Sequence, residues 1–409
     1  MLRSFLKSTL RWLSAIILKK YRPDIIAITG SVGKTSAKEA VFQVLSQKFA
    51  TWRTDKNYGT EFGVPAAIIG ADVPAPGQSM FRWFFVLLKA VRLIIVKSKK
   101  YPQILVLEMA ADKPGDIKYF MSFIKPKISI ITSISQVHLE KFAKFSQIIS
   151  EKRQIIECLP PEGYAVLNFD DENVKKMAGK TRARILAYGL NNQEAAIRAQ
   201  DVKVILKDNQ IGLYFKLLYK DTATPVFAPN ISAAHQIYSL LAAATCASIY
   251  KLTILEIAQG LEKFQSLPGR FTVKKGQNNT WLIDDSYNAA PVSVCAALQS
   301  LLDFPTGKRR IAVLGDMLEL GSFEDKGHRC VGECAARQNI DLLLTYGERA
   351  KMIGESAEEA GMSKSRVQHF EDQNKLIDYL RDVVRTDDVV LVKGSHGMKM
   401  KEVVNKLKI

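Results

Sequence analysis

The chain has 409 residues, 47% of them hydrophobic, which is enough to build two or three packed domains. Its 58 lysines and arginines outnumber its 41 aspartates and glutamates, so an anionic partner is expected: acidic lipid, a phosphorylated substrate or nucleic acid. The five cysteines show no paired C-x-x-C spacing, which argues against a disulfide framework and fits a reducing cytoplasm. Basic patches interleaved with aromatic residues are absent from the sequence outside two apolar segments, so we expect no nucleic-acid partner.

Residues 1–23 are predicted to form an amphipathic helix, with apolar residues on one face and basic residues on the other. This pattern is typical of a helix that lies in a membrane interface. A helix packed on the protein or at a dimer interface would show the same pattern. No small-residue cleavage site follows, so a removable signal peptide is not expected. The apolar residues are Leu6, Leu10, Leu13 and Ile17, and the basic residues are Arg3, Lys7 and Arg11.

The next segment has the order strand, glycine loop, Lys-Thr and helix. An apolar run at 24–27 leads into Ile-Thr-Gly-Ser-Val-Gly-Lys-Thr-Ser at 28–36. Glycines in such a loop let backbone N–H groups approach phosphate oxygens, and the following helix N-terminus adds partial positive charge. Lys34 can reach the β- and γ-phosphates, and the Thr35 hydroxyl can ligate Mg²⁺. We therefore predict a nucleoside triphosphate site at Gly30, Ser31, Gly33, Lys34, Thr35 and Ser36.

A second basic apolar segment lies at 81–96, within an insertion that we place at 78–101. Its charges interrupt an apolar run that is too short to span a bilayer comfortably. Three more lysines follow at 97–100. Association with an anionic membrane surface and packing on the protein or at a dimer interface both remain open for this segment.

From residue 24 onward, strands and helices alternate. The runs at 104–108 and 128–134 are continuously apolar, which predicts a parallel sheet covered on both faces. Residues 201–227 alternate more loosely and predict antiparallel strands, and the alanine-rich stretch at 232–247 predicts a helix. The segment 267–270 (Leu-Pro-Gly-Arg) is a natural hinge. Beyond it, strands at 281–284, 311–315, 341–346 and 389–392, with helices from 292 and at about 324–338, predict a second, Rossmann-like unit.

The predicted fold class is therefore α/β, with a P-loop ATPase domain built on a parallel sheet and a Rossmann-like C-terminal domain. We place an amphipathic helix at 1–23, the central domain at 24–266 and the C-terminal domain at 267–409. In open α/β sheets, ligands bind beyond the carboxyl ends of the strands. Glu108 stands at such a strand end, and His138 follows the next strand.

Glu108, His138 and Thr35 could together ligate Mg²⁺ near a γ-phosphate, and the helix that follows His138 carries Lys152. Each residue alone has a plainer explanation. His138 could cap a helix, Glu108 could pair with a lysine, and Lys152 could be a surface residue.

Taken together, the motifs resemble the Mur ligase family of ATP-dependent amide-forming enzymes over residues 25–409. The resemblance is strongest to its MurF type, which joins D-alanyl-D-alanine to UDP-N-acetylmuramoyl-tripeptide. The segments that carry the resemblance are 29–36, 56–65, 107–112, 138–140 with Lys152, 268–270, 284–289, 315–321 and 393–398.

This resemblance implies ATP and Mg²⁺ as cofactors and an acyl phosphate intermediate that an incoming amine attacks. It implies that Thr35 and Glu108 hold one Mg²⁺, that His138 holds a second, and that Lys152 is carbamylated by CO₂. The catalytic set is then Lys34, Glu108, His138 and Lys152. The resemblance further assigns Gln236, Arg270, Asp285 and Asn288 to the nucleotide, and Asn57, Lys393 and Ser395 to the substrate.

The chain departs from the family pattern at its beginning, where residues 1–23 stand in place of a UDP-sugar-binding domain. The pair His235-Gln236 also replaces the usual His-Asn near the adenine. We therefore expect a ligase that acts on a cell-wall peptide precursor with an amino acid or dipeptide acceptor. It would be cytoplasmic, and peripheral binding to the inner face of the membrane remains open. Two alternatives remain: a membrane-associated enzyme similar to poly-γ-glutamate synthetase, and a non-catalytic membrane-tethered scaffold with a ligase fold.

Overall fold

A computed structural model of the chain describes residues 2–54, 59–74, 80–136, 140–142 and 144–408. It contains two sheets, and each sheet with the helices that cover it is called a unit, the first and the second in chain order. The first sheet has nine strands in the order β2-β3-β1-β4-β5-β6-β7-β8-β9. Strands β1 to β7 pair in parallel, and β8 and β9 add an antiparallel extension. The strands are β1 (Asp24–Thr29), β2 (Thr51–Arg53), β3 (Ile104–Glu108), β4 (Ile128–Ile131), β5 (Tyr164–Asn168), β6 (Arg184–Gly189), β7 (Ile197–Lys207), β8 (Gln210–Tyr219) and β9 (Thr222–Ala228).

The second sheet has six strands in the order β10-β11-β15-β12-β13-β14. Only β10, at one edge, runs antiparallel to its neighbour. The α/β fold class with a P-loop domain and a Rossmann-like domain is thus confirmed. The strands are β10 (Thr272–Lys275), β11 (Trp281–Asp285), β12 (Arg310–Gly315), β13 (Leu342–Tyr346), β14 (Val367–Phe370) and β15 (Val389–Lys393).

Helices cover both faces of the parallel strands, which explains why those strands are apolar throughout: every residue of β3 and β4 is buried. The helices of the first unit are α1 (Leu2–Tyr21), α2 (Lys34–Leu45), α3 (Gly63–Ile69), α4 (Met80–Ile95), α5 (Asp116–Met121), α6 (Phe145–Glu157), α7 (Glu172–Lys175), α8 (Ile237–Ile249) and α9 (Ile254–Glu262). Those of the second are α10 (Pro291–Leu302), α11 (Glu324–Arg337), α12 (Lys351–Glu359), α13 (Gln373–Val383) and α14 (Lys401–Leu407).

Strand β4 is shorter than the apolar run at 128–134 suggests. After Ile131 the chain turns to bind the glycine loop: Thr132 Oγ1 donates to the Val32 carbonyl at 2.6 Å, and Ser31 N donates to the Ser133 carbonyl at 2.7 Å. Residues 132–133 therefore support the glycine loop, which we also call the phosphate loop, and do not extend the sheet.

Helix α1 lies on the first unit with its apolar face inward. Leu10, Leu13 and Ile17 are buried in the core that β1 and β3 also line. The apolar face of α1, which the sequence pattern suggested for a membrane, therefore packs against the protein itself. Within the described residues, no helix combines the length and the apolar character needed to cross a bilayer.

Candidate functional site

A cleft of about 580 Å³ opens between the two units, at the carboxyl ends of β1, β3, β5 and β11. Both units contribute to its wall, and it lies where ligands bind in open α/β sheets, beyond the carboxyl ends of the strands. It brings together most of the residues predicted from the sequence. Those on the wall are Ser31, Gly33, Lys34, Thr35, Ser36, Glu108, Gln236, Arg270, Asp285, Asn288 and Lys393.

The glycine loop between β1 and α2 depends on Gly30 and Gly33. Gly33 caps α2 in the left-handed region, with φ of 84°. Gly30 has φ of 152°, and a Cβ at this position would lie 2.0 Å from Thr132 Oγ1. Only glycine fits there, because the loop is pressed against the segment that follows β4.

Two lysines converge on this loop. Lys34 Nζ donates to the Gly30 carbonyl at 2.9 Å and to the Ser31 carbonyl at 3.2 Å. Lys152, on α6 and only 1% exposed, reaches the same Gly30 carbonyl at 2.9 Å. Burial lowers the pKa of both amines, and the nearby Lys34 ammonium helps to bring the pKa of Lys152 to about 7. Near neutral pH, a large share of Lys152 is therefore a neutral amine.

Thr35 and Glu108 form the centre of the site. Thr35 Oγ1 donates to Glu108 Oε1 at 3.0 Å, and Arg270 Nη2 donates to Thr35 Oγ1 at 3.0 Å from the other unit. The Glu108 side chain is nearly fully buried, and its backbone N–H is held by Thr54 Oγ1 at 3.0 Å. A hydroxyl and a carboxylate thus meet at the foot of the phosphate loop.

These residues fit a bound Mg²⁺. Glu108 Oε2 is buried and accepts no hydrogen bond from the described residues; the Lys38 ammonium lies 3.7 Å away, beyond hydrogen-bond distance, so this oxygen can still coordinate a metal ion. Mg²⁺ prefers such oxygen ligands and keeps several waters, so it needs few protein groups. In the described part of the chain, no three His, Cys, Asp or Glu side chains gather into a larger metal cluster.

Arg270 joins the two units at the hinge. Its carbonyl accepts hydrogen bonds from Gln236 Nε2 at 3.0 Å and Ser266 Oγ at 2.9 Å, while its guanidinium reaches Thr35. Gln236 thereby commits its amide nitrogen to the hinge. Its Oε1 is buried without a hydrogen-bond donor among the described residues. That oxygen is the atom left to meet a base edge.

The second unit contributes a buried ion pair at the ends of β11 and β15. Lys393 Nζ lies 2.7 Å from Asp285 Oδ2 and donates to the Asn288 carbonyl at 2.9 Å. Asp285 Oδ1 accepts from the Phe271 N–H at 3.0 Å. These bonds fix the Lys393 ammonium on the wall of the cleft.

His235, which stands beside Gln236, is neutral. Burial lowers its pKa to about 4, although Asp285 opposes the shift. Its Nδ1 lies 2.9 Å from Ser300 Oγ on α10, so the ring links the two units without carrying charge.

Five predicted residues are not on the described wall: Gly30 and Lys152, whose contacts are given above, and Ser395, His138 and Asn57. Ser395 is buried and accepts a hydrogen bond from the Leu318 N–H at 2.8 Å, so it positions a loop that lines the cleft. His138 and Asn57 lie outside the described residues.

Sequence reasoning missed two charged residues at this site. Lys38 is fully buried one turn into α2, where Nζ lies 3.7 Å from Glu108 Oε2 and 3.1 Å from Glu39 Oε1, and donates to the Thr54 carbonyl at 2.7 Å. Asp112 lines the cleft and raises the pKa of Lys34 and Lys152 against the effect of burial. Its position four residues after Glu108 was the available signal.

The comparisons with known proteins agree with this geometry. Residues 88–247 match the Mur ligase middle domain, and residues 269–396 match the Mur ligase, glutamate ligase domain. The UDP-N-acetylmuramoyl-tripeptide–D-alanyl-D-alanine ligase of Escherichia coli is 29% identical over 400 residues, which cover 97% of this chain and 79% of that protein. The enzyme of the same name from Bacillus subtilis is 26% identical and covers 98% and 79%.

Solved structures of MurF ligases share the fold of this chain. The MurF ligase of Thermotoga maritima, solved in complex with ADP, superposes with a TM-score of 0.80 at 25% identity, covering 98% of this chain and 83% of that one. MurF from Acinetobacter baumannii shares the fold with a TM-score of 0.80 at 24% identity, covering 98% and 80%. With a middle and a C-terminal domain matched and a nucleotide cleft between them, the chain belongs to the Mur ligase family.

Proposed function

We propose that this chain is an ATP- and Mg²⁺-dependent, ADP-forming ligase that joins D-alanyl-D-alanine to the peptide of a UDP-N-acetylmuramoyl-tripeptide. The observation that carries the proposal is the Thr35–Glu108 pair, which lies beneath a phosphate loop in a cleft shared by both units. The names of the relatives supply the two substrates.

The first step transfers the γ-phosphoryl group of ATP to a carboxylate of the peptide. A bond forms between the carboxylate oxygen and phosphorus, and the bond to the β-phosphate oxygen breaks, which releases ADP. Loop N–H groups and the Lys34 ammonium hold the phosphates, so the protein provides charge and position but no nucleophile. Mg²⁺ held by Thr35 and Glu108 would neutralise charge on the phosphate oxygens.

The second step forms the amide. The neutral amine of the acceptor attacks the acyl carbon, the C–N bond forms, and the resulting tetrahedral intermediate breaks its bond to the phosphate oxygen. Inorganic phosphate leaves, and the proton that the amine loses passes to the phosphate or to solvent. Lys393 and Arg270 face the cleft as cations beside the developing negative charge. Residues 318–320, held by Ser395, form the adjoining wall.

Lys152 enters the proposal as a carbamate. A buried amine with a pKa of about 7 is neutral often enough for its nitrogen to bond to the carbon of CO₂ and release one proton to solvent, and the product is an anion close to the phosphate loop. His138 and Asn57 keep their proposed roles, as a second Mg²⁺ ligand and a substrate contact respectively. The reaction would take place in the cytoplasm, with peripheral attachment to the inner face of the membrane.

The test measures ADP and phosphate release with both substrates, with each substrate omitted, and identifies the product by mass spectrometry. Lys34→Ala should abolish turnover, and Glu108→Gln should lower it by orders of magnitude and raise the Mg²⁺ concentration required. Ligation of glutamate in place of D-alanyl-D-alanine would favour the poly-γ-glutamate type of enzyme. The absence of any Mg²⁺-dependent turnover would favour the scaffold.

A further inference from the structure

Helix α4 has apolar residues on two opposite sides, and only one of them is covered by protein. Val86, Ala90 and Leu93 are buried against the core of the first unit. The opposite side carries a stripe at helical spacing, whose members are 41–74% exposed. The members of this stripe are Phe81, Phe84, Phe85, Leu88, Val91 and Ile95, and Val96 follows directly after the helix.

The concentration of these residues is unusual for a protein surface. Of the 14 large apolar side chains that are exposed in the described part of the chain, seven belong to residues 81–96. Single exposed apolar residues need no explanation, but a contiguous apolar patch marks an interaction site.

Helix α1 lies beside α4 and runs in the same direction. At one end, Lys20 donates to the carbonyls of Leu93 and Ile94 at 3.0 and 2.7 Å. At the other end, Arg3 and Trp83 both contact the Phe62 ring, at 5.4 and 5.6 Å. Helix α1 adds exposed aromatic rings of its own, with Phe5 at 70% and Trp12 at 63%.

The charge of the two segments selects the partner. Residues 1–23 and 78–101 contain 12 lysines and arginines and no aspartate or glutamate. The rest of the chain has 46 basic and 41 acidic residues, so most of the net charge of +17 comes from these segments. A second copy of the same face would bring two basic surfaces together, whereas an anionic lipid surface complements both the rings and the charges.

We propose that the exposed stripe of α4 and the adjoining rings of α1, together the lipid-facing surface, bind the protein to an anionic membrane as a peripheral enzyme. The aromatic and aliphatic side chains would insert at the headgroup level, and the lysines at 97–100 would contact lipid phosphates. This inference deepens the proposed location, and vesicle binding needs neither ATP nor ligase activity, so it can fail independently of the proposed function.

The experiment is flotation of the full chain with vesicles of phosphatidylglycerol and phosphatidylcholine, compared with phosphatidylcholine alone. The protein should float with the anionic vesicles at low salt and less at high salt, because screening weakens the contact of the lysines with the lipid phosphates. Phe84→Ser with Leu88→Ser should weaken binding on the order of tenfold or more. The matched control is Leu255→Ser, which removes a 63% exposed leucine on α9.

Substitution of lysines separates the contribution of lipid phosphates to vesicle binding from the contribution of apolar contact. Replacing Lys97, Lys99 and Lys100 by glutamine should reduce binding and its salt dependence, while the same change at Lys326, Lys364 and Lys401 on the second unit should not. Unchanged thermal unfolding of each variant, checked alongside, excludes misfolding as the cause. No flotation of the wild type at low salt, or equal flotation of the Phe84/Leu88 variant, overturns the proposal. So does a dimer, found by sedimentation, that this variant dissociates.

Discussion

Lys34 and Lys152 donate hydrogen bonds to the same acceptor, the backbone carbonyl oxygen of Gly30, and each Nζ lies 2.9 Å from it. Burial lowers the pKa of both lysines, and the Lys34 ammonium lowers that of Lys152 further, because two ammonium groups on one carbonyl oxygen repel each other. The pKa of Lys152 accordingly falls to about 7, while Lys34 keeps the more open position on the cleft. One lysine is thus suited to bind phosphate and the other to react as an amine.

Lys152→Ala is expected to be nearly inactive, because it removes the amine that would become the carbamate. A small carboxylic acid added to this variant should restore part of the ADP release, since it returns an anion to the same position. Arg153→Ala, on the same helix but in an exposed pair with Glu157, serves as the control and should stay active. Full activity of Lys152→Ala would contradict the carbamate role.

The same lysine predicts a pH dependence of stability in buffer free of CO₂. The pKa of Lys152 is about 7 in the folded protein and 10.5 when exposed, so between these values the unfolded chain binds one more proton. The free energy of unfolding should therefore rise with pH across this window. Below pH 7, the full cost of burying the protonated Lys152 amine should remain. Relative to wild type, Lys152→Met should gain most in urea unfolding below about pH 7. A constant difference across the window would contradict the shift.

Lys38→Met should lower the free energy of unfolding by about 3–5 kcal/mol, because it leaves the buried Glu108 carboxylate without its Lys38 partner, while Glu39 keeps its ion pair with Arg53. The control is Lys48→Met, which breaks the exposed pair with Glu256 and should cost about 1 kcal/mol or less. Denaturant unfolding measures both. Equal effects of the two substitutions would show that the buried pair of Lys38 contributes no more to stability than an exposed one.

Gly30→Ala should prevent ATP binding, because the new Cβ would collide with Thr132 Oγ1 and the loop would have to move away from the segment after β4. A fluorescent ATP analogue measures the affinity directly. Gly179→Ala is the control, since a Cβ there meets nothing within 4 Å. Normal affinity in the Gly30 variant would mean that the loop adjusts without cost.

The local parts of this site could be predicted from the sequence because neighbouring residues determine them. The apolar run at 24–27, the glycine spacing and Lys34-Thr35 specify a strand, a loop and a helix N-terminus within a dozen positions. The continuous apolar runs likewise predict buried parallel strands, and β3 and β4 are buried throughout.

The remaining features depend on contacts between distant residues, which periodicity does not reveal. The contact of Arg270 with Thr35 joins residues 235 positions apart. Lys38 looks like an ordinary helical lysine until Glu108, at the end of β3, is placed beside it. The apolar face of α1 is evident in the sequence, but the pattern cannot say whether lipid or protein covers it. The structure places protein there, and leaves the exposed stripe on α4 instead.

The hinge has a consequence for any rotation of the second unit. The carbonyls of Arg270 and Phe271 are held by Gln236 and by Ser232, both in the first unit, so the pivot would lie beyond Phe271. Strands β11, β15 and β12 follow β10 outward at about 4.8 Å per strand, so displacement would grow in that order. Asp285 would move least, Lys393 more, and the wall at 318–320 most. Such a rotation would leave the nucleotide-binding end of the cleft, near Asp285, nearly unchanged. It would widen or narrow the other end, near residues 318–320, where the second substrate enters.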